Sequence, residues 1–466
     1  MDNNMCLEHQ AFILKLPDEI LDAIISLTAP VLRSHRCLPE HSKVYEMAIA
    51  LSLVCKRFHR ITVPYMYMDL GINTNDDAWR QPKKVFKNLH RSFRENPSLW
   101  KLCRNLTVIW SKSNDRNLYI AADCLTWLTA AKTLTFWDLN GKKAWELLRL
   151  ATEQKSACDT LSLSSNYNYD LHLPFVIDVL GDFTSGFLPN LKKLNLDGVS
   201  FYGDQMSQAA LREKAGMAPF TKLQLCSFLL TPKSLEGLVR WSSRLEEFEL
   251  KYTFGDDYAT DGFYSDWRLA KLQPILSVHR KTLRSITLYG IGSPGFDGFD
   301  LRQFDNLEEL SLSSQISGHQ GPRERTIYQP PDGLFASRLR VFHWDLTLLD
   351  QQLGESLSDF DQEEEDWLRL FARKAIECRC PLQRIKIKFT PCDWQGAGDV
   401  YPWDRMDAMG ADLRPHGIKV SYNPPSISRE QYMTYIANSA QKDPALAAEM
   451  ECVGNTMLAG TVVPTI

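Results

Sequence analysis

The side chains best able to do chemistry near the N-terminus are Cys6, His9, His35, Cys37 and His41, a thiolate and imidazole set of the kind zinc prefers. Cys378, Cys380 and Cys392 form a smaller set near the other end. Neither has the paired C-x-x-C or H-x-x-x-H spacing that holds a tetrahedral ion, so no metal is expected. One G-x-G-x-x-G occurs at Gly290-Ile291-Gly292-Ser293-Pro294-Gly295. A dinucleotide site needs a helix to open there and present its N-terminus to the pyrophosphate. Pro294, Gly295 and Gly298 read instead as a loop. The chain contains no G-x-x-x-x-G-K-[ST], G-x-S-x-G or H-E-x-x-H. The expectation is a protein that is not an enzyme, with no catalytic residue and no cofactor.

Composition narrows the partners. The 466 residues carry 53 basic and 57 acidic side chains, a net charge of −4. A chain that coats nucleic acid is basic, so nucleic acid is not an expected partner. No apolar run reaches the eighteen or so residues of a membrane helix, and no membrane role is expected. The first residues, MDNNMCLEHQ, lack a basic flank and a cleavage site, which predicts no secretory leader. Eleven cysteines, an odd number and mostly scattered, read as reduced thiols in the cytoplasm or nucleus.

Two helices are predicted first. Pro17, Asp18 and Glu19 open one of them, with proline in the first turn and acids at the positive end of the dipole. Its stripe is Ile20, Leu21, Ile24, Ile25 and Leu27. The second is expected from about Lys43 to Ile61, stopped by Pro64, with Met47, Leu51, Val54, Cys55, Phe58 and Ile61 as its apolar face. Two or three short helices bury too little to use all of this surface, so part of it must meet something else.

After residue 100 one rule recurs. Leu191-x-x-Leu194-x-Leu196, Leu245-x-x-Phe248-x-Leu250, Leu283-x-x-Ile286-x-Leu288, Leu307-x-x-Leu310-x-Leu312, Leu339-x-x-Phe342-x-Trp344 and Leu382-x-x-Ile385-x-Ile387 share one form. Shorter versions stand at Leu106–Val108, Leu134–Phe136, Leu161–Leu163 and Leu223–Leu225, and steps between neighbours run from 24 to 43 residues. The rule L-x-x-L-x-L is the strand signature of leucine-rich repeats. Alternation turns the apolar residues inward and the intervening ones outward. The outward positions form a concave face, with Trp137, Glu247, Glu249, Lys251, Tyr289, Glu309, His343, Asp345, Arg384 and Lys386 as candidate contacts for a protein target.

Leu16-Pro17-Asp18-Glu19-Ile20-Leu21, Leu51-Ser52-Leu53-Val54-Cys55-Lys56-Arg57-Phe58 and Pro64-Tyr65-Met66-Tyr67 together resemble an F-box, of the kind found in fungal F-box proteins. The loop between the helices, roughly residues 28–43, is longer than the usual pattern. An F-box followed by leucine-rich repeats resembles the substrate-recognition subunits of SCF-type cullin–RING ubiquitin ligases. The resemblance implies a Skp adaptor, and through it a cullin, as partner, with adaptor contacts from Leu16, Pro17, Ile20, Leu21, Ile24, Leu51, Val54, Cys55 and Phe58. The alternative is a repeat scaffold that binds a protein partner with no ligase role.

The expected fold class is therefore α/β: a small helical F-box, then an irregular leucine-rich-repeat solenoid of parallel strands with helical or irregular return segments. The expected division is an N-terminal tail (1–11), the box (12–70), a helical connector (71–100), the array (101–422) and a partly helical tail (423–466). Residues 80–104 hold eight basic side chains against Glu95, which predicts an amphipathic helix with a solvated basic face. The acids of 359–366 read as an exposed loop and the start of a helix carrying Trp367, Leu370 and Phe371.

Overall fold

A computed structural model describes residues 15–28, 48–74, 83–110, 115–139, 141–154, 157–165, 171–181, 187–199, 204–251, 267–291, 294–319, 327–347, 356–391 and 400–441. The Cys6, His9, His35, Cys37 and His41 set lies outside these residues, as does Cys392. The chain divides into two compact units, Met1–Tyr252 and Thr253–Ile466. Both are built of parallel strands and helices, an α/β repeat.

In the first unit α1 (Asp18–Thr28) and α2 (Lys56–Met68) precede β1 (Asp69–Asn73) and α3 (Lys83–Glu95). There follow β2 (Asn105–Ile109), α4 (Asp115–Trp127), β3 (Thr133–Trp137), α5 (Lys142–Gln154), β4 (Thr160–Ser164) and α6 (Leu173–Leu180). The unit closes with β5 (Lys193–Val199), α7 (Asp204–Arg212), β6 (Lys222–Phe228), α8 (Pro232–Trp241) and β7 (Glu247–Lys251). Each strand pairs in parallel with the next in sequence. The register sets Leu106, Leu134, Leu161, Leu194, Leu223 and Phe248 in one line across the sheet, all essentially fully buried. Val108, Phe136, Leu163, Leu196, Leu225 and Leu250 make a second buried line two residues on. No single strand can hide such a row, but stacked neighbours can.

The joint between repeats is itself repeated. The Arg104 carbonyl accepts the N–H groups of both Lys132 and Thr133, and the Lys132 carbonyl those of Asp159 and Thr160. Asp159, Lys192 and Thr221 continue the series with Lys192/Lys193, Thr221/Lys222 and Glu246/Glu247. One carbonyl with two lone pairs thus fixes where each new strand starts.

The second unit holds α9 (Leu269–Ser277), β8 (Ser285–Tyr289), β9 (Glu309–Ser313), β10 (Val341–Asp345), α10 (Gln362–Glu377), β11 (Arg384–Lys388), α11 (Pro402–Leu413), β12 (Lys419–Tyr422) and α12 (Arg429–Gln441). Its strands are also parallel and in chain order. Short 3-10 turns at Leu301–Gln303, Ser314–Ser317 and Asp332–Leu334 serve as the returns around β9. An aromatic core fills this unit: Trp367 stacks on Trp344 at 5.0 Å, Phe342 on Phe371 at 4.1 Å, and Trp367 Nε1 donates to the Tyr328 carbonyl at 2.9 Å.

Four expectations need correction. The second helix does not run unbroken from 43 to 61. A helical turn over 48–52 ends at Leu53 and Val54, Cys55 is extended, and α2 starts afresh, carrying Pro64 inside it. The break turns Leu53 and Val54 outward while Phe58 and Ile61 return to α1. The array begins at Asp69, not at 101, because Leu70 and Ile72 of β1 are buried and pair with β2. The stretch 71–100 is therefore no mere connector; Phe93 of α3 is fully buried and its carbonyl accepts a bond from Trp100 Nε1. The described C-terminal residues form one helix, α12, rather than two, with Tyr432 fully buried against Tyr401. The acids before Trp367 are not an exposed loop: Asp361 caps α10, accepting from Glu363 N–H while Glu364 accepts from Asp361 N–H, and Glu364 and Glu365 are buried.

Candidate protein-docking surfaces

The hairpin of α1 and the 48–68 segment closes on a very small core. Leu21, Ile25, Phe58 and Ile61 are buried together, with Leu16, Leu51, Cys55 and Tyr65 packed partly against them. Polar contacts lock its rim. Arg57 and Arg60 both donate to the Asp18 carboxylate, Arg57 also reaches the Leu16 carbonyl, and Tyr65 Oη donates to Asp22 at 2.8 Å. The two guanidiniums hold the Asp18 carboxyl below its ordinary value. Burial, helped by the Asp22 carboxylate, pushes the Tyr65 hydroxyl up to about 12.

Much apolar surface stays outside that core. Ile20, Ile24 and Leu27 fall at helical spacing on α1 and are exposed, Leu27 by 85%. Ile49, Leu53 and Val54 are exposed on the segment that follows, Leu53 by 78% and Val54 by 61%. Isolated exposed aliphatics are ordinary, but six on one small hairpin mark a surface meant to be covered.

The nine residues expected to meet an adaptor therefore divide by environment. Pro17, Ile20, Ile24 and Val54 are exposed; Leu16, Leu51 and Cys55 are half-buried. Leu21 and Phe58 lie in the hairpin core at 1% and 4% exposure, so they shape the surface without being offered on it. Leu27, Ile49 and Leu53 were missing from the expected set. Leu27 stands on the same stripe as Ile20 and Ile24, and that spacing was sufficient to find it.

The outward strand face is a second surface. In the first unit Trp137, Ser164, Asp197, Cys226 and Lys251 share one cross-strand row, and Thr135, Ser162, Asn195, Gln224 and Glu249 the next. These residues partner one another: Asn195 Nδ2 donates to Ser162 at 2.8 Å, Gln224 to Glu249 at 3.1 Å, and Lys222 pairs with Glu247 at 2.6 Å. Glu249 and Lys251 form a further pair. Trp137, Glu247, Glu249 and Lys251 thus do stand outward on one face, with Glu247 exposed and the others half-buried. The Cys226 thiol beside them is pushed up to about 12, first by burial and then by Asp197.

In the second unit Tyr289 is half-buried and its Oη bonds Ser311 at 2.8 Å. Glu309 is exposed, and His343 lies 4.0 Å from it. Burial lowers the His343 imidazole below its ordinary value, and Lys386 and Arg384 add to the shift while Glu309 opposes it. Arg384 is exposed and Lys386 half-buried. Asp345 is the exception: it is buried at 5%, accepts from the Thr347 N–H at 2.8 Å and pairs with Lys388 at 3.0 Å. Its carboxylate is consumed within the fold and is not offered to a target.

A dent of about 420 Å³ in this unit is lined by Phe296, Phe299, Tyr328 and Pro331, and by Asp300 and Arg302, which neutralise each other. Residues 294–300 after the G-x-G-x-x-G stretch form a loop and open no helix. Among the described residues no three His, Cys, Asp or Glu side chains are grouped to hold a metal, and no helix is long and apolar enough to cross a membrane. Compared with models of known protein families and with curated proteins, the chain matches none.

Proposed function

We propose that this chain is a substrate-recognition subunit of an SCF-type cullin–RING ubiquitin ligase. Its N-terminal hairpin serves as the F-box that binds a Skp adaptor, and its leucine-rich-repeat strand face holds a protein target. The observation that carries the reading is the uncovered apolar surface of Ile20, Ile24, Leu27, Ile49, Leu53 and Val54, borne by the one segment whose sequence resembles an F-box. Such a subunit does no chemistry. It raises the local concentration of its target beside the transferring enzyme, which is catalysis by proximity.

The rival is a scaffold whose hairpin only caps the repeats. It draws support from α2, which runs straight into β1 and packs against it and against the 3-10 turn Pro97–Leu102. Co-purification of the full chain with a Skp adaptor separates the two. The expected result is a stable complex that survives gel filtration and is lost in an Ile20→Glu, Leu53→Glu variant with an unchanged melting temperature. A folded wild-type chain that binds no adaptor leaves the scaffold reading standing instead.

A further inference from the structure

The outward positions of β10, β11 and β12 carry an uneven charge. Register aligns Val341, Arg384 and Lys419 in one row, His343, Lys386 and Ser421 in the next, and Asp345 with Lys388 in the third. Four of these side chains are cations and one, Asp345, is an anion, already engaged by Lys388 at 3.0 Å. Among the described residues no carboxylate pairs with Arg384, Lys386 or Lys419. Glu309 faces this patch from β9, 4.0 Å from His343, and Val341 stands between it and Arg384.

Folding gives no reason for such clustering. Arg384 and Lys419 sit directly opposite each other on neighbouring strands, an arrangement of like charges that costs stability. Arg384 and Lys386 lie about 6.8 Å apart along β11 and Lys419 about 4.8 Å to the side. That spacing matches carboxylates displayed by an extended chain laid over the strands.

We propose that this face of the second unit binds an extended acidic segment of a protein partner through Arg384, Lys386 and Lys419. The proposal supplies the chemistry of the target in the reading above, and it rests on that reading only in naming the partner a target. A nucleic acid is the less favoured occupant: the whole chain carries −4, and three unpaired cations are few beside the six to ten or so phosphate contacts that nucleic-acid binders make.

The test uses the full chain without adaptor and follows fluorescence anisotropy of a labelled oligoglutamate peptide about ten residues long. A glutamine peptide of equal length and a single-stranded oligonucleotide serve beside it. The expected result is binding of the glutamate peptide alone, weakened by salt at about 150 mM. An Arg384→Glu, Lys386→Glu variant should lose at least about tenfold in affinity, whereas Lys142→Glu, Lys143→Glu, which changes net charge equally on α5, should lose nothing. Arg384→Gln alone repeats the test with a milder change should the double variant melt early. No glutamate binding, equal loss in the α5 variant, or tighter binding of the oligonucleotide overturns the proposal. The Ile20→Glu, Leu53→Glu variant should bind the peptide as the wild type does, so a failed adaptor interaction and a failed acidic site are told apart.

Discussion

Arg57 Nε donates a 2.6 Å hydrogen bond to the Asp18 carboxylate, tying the start of α2 to the start of α1 across 39 residues of chain. Because Arg60 joins the same carboxylate, the depressed Asp18 pKa reports on closure of the hairpin. Replacing both arginines by glutamine should return Asp18 to its ordinary value near 3.8, read by NMR titration of the side-chain carboxyl carbon. A depressed carboxylate contributes stability at neutral pH that is lost as pH falls through its lowered folded value. The wild-type hairpin should therefore loosen only in stronger acid than an ordinary aspartate would need, and the double variant should lack that step.

Ile20 and Phe58 should respond oppositely to substitution. Phe58 is one of four residues closing the hairpin core, so Phe58→Ala should cost about 3 kcal/mol locally and speed amide exchange at Leu21 and Ile25 about a hundredfold. Ile20→Glu sits on the exposed stripe and should leave those amides unchanged. Hydrogen exchange by mass spectrometry over 18–28 checks both, and equal effects would mean that Ile20 is part of the core after all.

Glu364 should make the second unit sensitive to alkali. Burial, the largest influence, pushes its carboxyl up to about 8, outweighing the Asp361 N–H that favours the carboxylate. The folded group keeps its proton to higher pH than the unfolded one, so its contribution is full below about 4.5 and is lost as pH rises through about 8. Glu364→Gln retains an oxygen for the 2.8 Å bond from Asp361 N–H. The variant should match the wild type near pH 4.5 and exceed it near pH 9 by on the order of 2 kcal/mol in thermal unfolding. An offset that does not vary with pH would refute the assignment.

Cys378 and Cys380 offer a contrast within three residues. Cys378 is exposed, while Cys380 is half-buried, its Sγ directed at the Leu339 carbonyl at 3.4 Å and its thiol pushed up to about 11 by burial. Maleimide at neutral pH should label Cys378 well before Cys380, since the thiolate is the reacting form. Trypsin cleaves between them at Arg379, so peptide mass spectrometry gives the two rates separately.

Strand positions were legible because Leu194 and Leu196, or Ile385 and Ile387, alternate with polar residues inside a repeated frame. β1 escaped notice since Asp69–Asn73 offers only Leu70 and Ile72 around Gly71, with Tyr67 where the leading leucine stands elsewhere. Pro64 signalled a stop that the chain ignores. One lost hydrogen bond on an exposed helix position is outweighed by burying Phe58, Ile61 and Thr62. Nothing near Cys55 announces a helix break, as no glycine or proline stands there. Alternation also tells direction without cover: Asp345 points outward as expected, yet its ion pair with Lys388 hides it.

The repeated carbonyl joint has a kinetic consequence. Within each unit every pairing closes a span of only 24 to 43 residues, from Ser285 with Glu309 at the short end to Val341 with Arg384 at the long end. Closure entropy grows slowly with such spans and is met one strand at a time. Each new strand needs only its predecessor as a template, so folding can advance from the ribosome outward, keeping pace with synthesis.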